Sequence, residues 1–157
     1  MLRLVVMFKR ILVAFIIWKV VLLYFALLAK EWLPLREIAL AENFSIGLPY
    51  LHWVWGNFDG VNYVEIARGG YHWPNFAFFP LFPFLISLGK KLFWLHLLHS
   101  GVLIANGALL LSLVFLYKIA RLDFKEKIAD RSIILLLVFP TAFFYNAVYA
   151  DSLYLLL

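Results

Sequence analysis

The chain has 157 residues, of which 66% are hydrophobic and only 15% charged, with a mean hydropathy of +0.93. That is far outside the range of a soluble domain and points to a membrane protein. Fourteen basic and nine acidic residues give a net charge of +5, but the basic excess lies in short segments between apolar runs, which argues against nucleic acid as a partner; the absence of cysteine excludes disulfides, thiolate metal sites and a cysteine nucleophile.

The first predicted element is the run ILVAFIIWKVVLLYFALLA, Ile11 to Ala29. At about 1.5 Å per residue such a run reaches roughly 28 Å, enough to cross the hydrocarbon layer. Arg3, Lys9 and Arg10 precede it and favour a cytoplasmic N-terminus. Lys19 stands near its middle, where a charge is a functional suspect, with snorkelling to the boundary or pairing with a helix absent from this chain as the plainer readings.

The segment from Lys30 to His99 is read as one outer loop with interfacial helices. Within it, FDGVNYVEIARGGY sets Val61, Val64, Ile66 and Ala67 on one side and Asn62, Glu65 and Arg68 at threes on the other, the pattern of a short helix lying in the interface. Asp59 precedes that helix at an N-cap position, Glu65 and Arg68 are spaced to pair on its surface, and Gly69 and Gly70 end it. The apolar stretch Phe76 to Gly89 carries Pro80 and Pro83, which are expected to break helix and bend the segment, and it is too short to span.

A second span follows at Ser100 to Ala120, then the loop RLDFKEKIADR with four basic residues, then a third predicted span at Ser132 to Ala150, kinked at Pro140. With Phe76 to His99 on the surface, the basic loop returns to the cytoplasmic side beside the basic N-terminus. Asp59 and Asp151 then share the outer face. The final DSLYLLL reads as the start of a further span, so the chain is expected to be the N-terminal part of one larger membrane domain.

Chemically, an acid held at the rim of the bilayer beside aromatics suits one of two tasks: taking a proton from a hydroxyl, or holding a divalent cation against a phosphate. Arg68, His72, Lys90 and Lys91 are the nearby candidates for meeting that phosphate, although lysines at such a boundary also anchor to headgroups. Tyr63 and Tyr71, with Trp53, Trp55 and Trp73, suit an interfacial belt or stacking on a sugar.

Two motifs carry a resemblance. W-x-x-F-D-G-x-x-Y-x-x-I-A-x-G-G-Y with A-F-F-P-L-F-P, over Trp55 to Pro83, and F-P-x-x-F-F-x-x-x-x-Y-x-D-S-L, over Phe139 to Leu153, resemble the PIG-V-like mannosyltransferases. The resemblance implies an all-α polytopic fold of the GT-C class. It implies transfer of a hexose, mannose above all, from a polyprenyl- or dolichyl-phosphate donor to a lipid, glycan or protein acceptor at the non-cytoplasmic face, with inversion. It makes Asp59 the catalytic carboxylate and a possible ligand for a divalent cation, with Asp151, Arg68, His72, Tyr63 and Tyr71 on the substrate. Glu is common in the family at the position of Asp151, and Trp at that of Phe58. The membrane implied is the plasma membrane of a prokaryote or the endoplasmic reticulum of a eukaryote. A transporter of lipid-linked substrates and a catalytically silent membrane subunit are the competing readings.

Overall fold

The computed structural model describes residues 2–33 and 48–157, with the side chains of Leu2 and Arg3 left aside; residues 34–47, part of the predicted outer loop, lie outside the described residues. All regular structure among the described residues is helical. Helix α1 (Leu2–Trp32) and helix α5 (Leu97–Asp123) are both long and apolar enough to cross a membrane. Among the described residues between them are the short α-helices α2 (Tyr50–Trp53), α3 (Asp59–Gly69) and α4 (Leu81–Phe93), and after α5 come α6 (Glu126–Val138) and α7 (Asp151–Leu156).

The long helices are mainly apolar; α1 contains no proline or glycine, and it extends beyond the predicted Ile11 to Ala29 at both ends. Their faces are largely bare. Ile17, Val20 and Phe25 of α1 stay exposed, as expected of a surface whose solvent is hydrocarbon.

Two apolar clusters divide the molecule along α5. One joins Ile11 and Trp18 of α1 to Leu109, Leu113 and Tyr117 of α5 and to Ala129, Ile133 and Leu137 of α6. At that end Arg10 bonds Glu126 and reaches Asp130 at 3.2 Å, so the basic start of α1 and the basic loop before α6 share one end of the bundle. The other cluster packs Val61 and Val64 of α3, Phe82 and Ile86 of α4, and Val148 and Leu153 against Leu97, Leu98 and Ala105 of α5. The two ends of α5 therefore belong to different clusters, one beside Arg10, Glu126 and Asp130 and the other beside α3 and α4.

The apolar stretch after Phe76 forms α4, whose 13 residues reach about 20 Å, short of a crossing. Pro80 and Pro83 do not break this helix as expected. Pro80 is its N-cap and Pro83 lies in its first turn, where a missing N–H costs nothing.

The third apolar run is not one continuous helix. Helix α6 starts six residues earlier than expected and stops at Val138, because the ring of Pro140 forces Phe139 into an extended conformation (φ −62°, ψ 138°). A 3-10 turn, Ala142–Asn146, and an irregular stretch then carry the chain on to α7.

Gly101 sets how closely this return segment approaches α5. A Cβ there would meet Val148 Cγ1 at 2.6 Å and Ile86 Cδ1 at 3.3 Å, so only glycine allows the contact. Gly101→Val is expected to cost about 1–3 kcal/mol through overpacking, read as a lower midpoint of thermal unfolding in detergent. An unchanged midpoint would show that the segment does not pack there.

Candidate functional site

Asp59 opens α3, one residue inside the position expected for it. The N-cap is Phe58, held at φ 53°, and Asp59 stands in the first turn. A carboxylate there complements the positive end of the helix dipole without taking the capping role. Its side chain is exposed rather than enclosed.

The stretch before it is fixed from the far end of the sequence. The Val148 N–H donates to Trp55 O at 2.8 Å, and the Tyr149 hydroxyl donates to Asn57 O at 3.3 Å and also meets the backbone at Asp59. Gly60 packs against Val148, where a Cβ would come within 3.3 Å of the Val148 carbonyl oxygen. Asp151, also exposed, begins α7 two residues after Tyr149. Thus the two motif segments, about ninety residues apart in sequence, are bonded together.

Tyr63 registers both acids. Its hydroxyl is pushed up to about 12, first by burial and then by the charges of Asp59 and Asp151, with Tyr71 and Tyr149 adding to them. It therefore stays protonated at neutral pH. Its ring belongs to the core, edge-on to Phe78 and Phe82.

The other predicted site residues are not gathered at Asp59. Arg68 sits at the opposite end of α3, nine residues on and so about 14 Å along the helix. His72 does not face Asp59 either: its Nε2 lies 3.5 Å from Glu65, and its backbone N–H donates to the buried Asn75 Oδ1 at 3.0 Å. Glu65 thus faces His72 as well as lying three residues from Arg68. The Tyr71 hydroxyl donates to Phe78 O at 2.6 Å, and its ring stacks on Phe76. These contacts close the loop between α3 and α4. Among the described residues no three His, Asp or Glu side chains group as a metal site. An ion held by Asp59 would therefore take most of its ligands from phosphate and water, as magnesium commonly does.

An apolar groove of about 900 Å³ runs along α1 from Ala14 to Ala29, walled opposite by Leu137, Phe139 and Phe143 and closed at one end by Tyr50, Asn57, Phe58 and Tyr149. That end adjoins Asp59. Its far wall runs from the last turns of α6, which stops at Val138, on to Phe139, Pro140 and Phe143.

Two features escaped the sequence reading. Tyr149 lies within the second motif, yet its bond to the Asp59 stretch had no local signal. Lys19 neither snorkels nor waits for an absent helix: its Nζ donates to Asn106 Oδ1 at 3.0 Å and to Asn146 Oδ1. Asn106 Nδ2 in turn donates to Val102 O at 2.8 Å and reaches Asn146 O at 3.4 Å. This polar knot pins α1, α5 and the 3-10 turn together just before Ala147 and Val148 dock on Trp55.

Comparison with protein families finds a match over residues 2–157 to the family described as mannosyltransferase (PIG-V). Neither the curated proteins nor the solved structures give a match.

Proposed function

The chain belongs to the PIG-V mannosyltransferase family, and from that premise we propose that it moves a mannosyl group from a polyprenyl-phosphate donor to an acceptor hydroxyl at the non-cytoplasmic boundary of the membrane. The observation that supports this reading is the apolar groove along α1, whose lining includes Asn57 and Phe58 directly before Asp59, on a stretch held in place by the second motif.

A polyprenyl-phosphate sugar keeps its tail in hydrocarbon and its sugar at the interface. The groove along α1 suits the first isoprene units, and its closed end at Asn57, Phe58 and Tyr149 sets the depth at which phosphate and sugar emerge. The Asp59 carboxylate takes the proton of the acceptor hydroxyl as that oxygen attacks the anomeric carbon. The bond from that carbon to the phosphate oxygen breaks on the opposite face, so the configuration inverts and polyprenyl phosphate departs. Asp151 and the protonated Tyr63 lie in the same field and orient the polar partners. The basic loops, on the other end of the bundle, keep this site on the outer face.

The groove gives a separable test. Ala26 lines it and is only 8% exposed. Ala26→Trp is expected to raise KM for a long-chain donor about tenfold or more, while a donor with a short, soluble tail keeps its KM; a bulky side chain in an apolar pocket discriminates by about 1–3 kcal/mol. Equal effects on both donors would show that the tail lies elsewhere.

A further inference from the structure

The residue directly before Asp59 has a backbone conformation that its side chain does not favour. Phe58 stands at φ 53° and ψ −120°. These are the angles of the first central position of a type II′ turn, a place for glycine. The turn is closed as that type requires, the Gly60 N–H donating to Asn57 O at 3.1 Å. A glycine is present in the motif, but at Gly60, two residues too late to relieve Phe58. It is needed where it stands, because a Cβ there would lie 3.3 Å from the Val148 carbonyl oxygen and 3.4 Å from Val148 Cβ.

A strained residue persists only when its surroundings over-determine it. The ring of Phe58 does not supply that support, being 72% exposed. The second motif does. Ahead of the turn, the Val148 N–H donates to Trp55 O at 2.8 Å. At the turn, the Tyr149 hydroxyl donates to Asn57 O at 3.3 Å, the same carbonyl that closes it, and also meets the backbone at Asp59. Tyr149 is itself held: its ring is half-buried with its centroid 4.9 Å from that of Phe144, and its backbone N–H donates to Ala147 O at 2.8 Å. The hydroxyl is thus delivered by a fixed segment rather than by a free side chain.

The strained residue leads directly into Asp59, so it sets the direction in which α3 starts. Relaxing Phe58 to an ordinary negative φ would turn the peptide that carries Asp59 and move its carboxylate. We propose that Tyr149 is a positioning residue for transfer: its hydroxyl, bonded to Asn57 O, holds Phe58 at positive φ and thereby fixes where the Asp59 carboxylate stands. This role rests on the reading of Asp59 as the base. Tyr149 acts here through the backbone and takes no proton from the substrate.

The test is a double-mutant cycle of Tyr149→Phe and Phe58→Gly in the full chain, with kcat and donor KM measured. Tyr149→Phe keeps the ring that lines the groove and loses only the hydroxyl. Its kcat is expected to fall about 10- to 100-fold, the scale of a misplaced reacting group, with donor KM retained. Glycine takes positive φ without strain, so in the Phe58→Gly background the same substitution is expected to cost about twofold or less. An equal fall in both backgrounds would overturn the proposal. Hydrogen exchange reads the same device without turnover, at the Gly60 and Val61 N–H groups that bond Asn57 O and Phe58 O. It is expected to quicken in Tyr149→Phe, and unchanged exchange there would overturn the proposal too. The two readings fail differently: normal turnover by Asp59→Asn removes the base, whereas undiminished kcat in Tyr149→Phe beside an inactive Asp59→Asn removes only the positioning role.

Discussion

Replacing Asp59 by Asn in the full chain is expected to lower mannosyl transfer by about 100-fold or more, the range a positioned general base supplies, while leaving insertion and thermal stability unchanged. The substitution keeps the size of the side chain and removes its basicity. The fold does not depend on the carboxylate: it is exposed in the first turn of α3, and the N-cap is Phe58. The cost to stability is therefore within the few tenths of a kcal/mol that a charge at a helix start contributes. The readout that matters is kcat at saturating donor and acceptor. Near-normal turnover would remove Asp59 from the reaction, whatever its position.

Asn146→Leu is expected to destabilise the protein by about 3 kcal/mol or more, because it removes one of two amide oxygens that receive the Lys19 ammonium and leaves a cation short of partners in an apolar setting. Lys19 is part-buried at the level of the first span, where an unpaired charge is costly. If the loss comes from that charge, adding Lys19→Met to Asn146→Leu should recover most of it, since replacing both members of a buried polar pair by apolar groups is far less costly than removing one. Unfolding of the single and double variants in detergent measures this. Additive losses would mean that Lys19 and Asn146 are not coupled. The knot lies directly before Val148, so the single variant is also expected to loosen the bond to Trp55 and to lower transfer.

The residues show how far the sequence could be read. The two long helices were legible because an unbroken apolar run of membrane length has few alternatives, whereas Arg68, read as a nearby phosphate contact, stands at the far end of α3 from Asp59. The end of α3 was legible too: Gly70 adopts φ 84°, and the helix stops at Gly69. The proline in the third run was visible, but its consequence was read as a kink, whereas Phe139 leaves the helical region and α6 ends. Pro80 and Pro83 were read as breakers because the residue type alone does not tell a helix start from its interior.

The site was legible in part. Asp59 and Asp151 stood out as acids in an apolar chain and as members of two motifs, and the structure joins those motifs through Val148 and Tyr149. Arg68 and His72 stood out for the same reason of charge, yet Arg68 stands at the far end of α3 and His72 turns to Glu65 and Asn75. Lys19 carried a signal but its partners did not: asparagines within apolar runs have no periodicity that announces which lysine they meet. The groove was invisible, since its walls are far apart in sequence.

The most direct test uses a polyprenyl-phosphate mannose whose first isoprene unit bears a diazirine, photolysed with the full chain in membranes. The account predicts label on the groove beside Asp59, within Val21 to Ala29 or Phe139 to Phe144, and its loss when unlabelled donor competes. Competed label confined to α5 or to the end of α4 at Lys90 would contradict it.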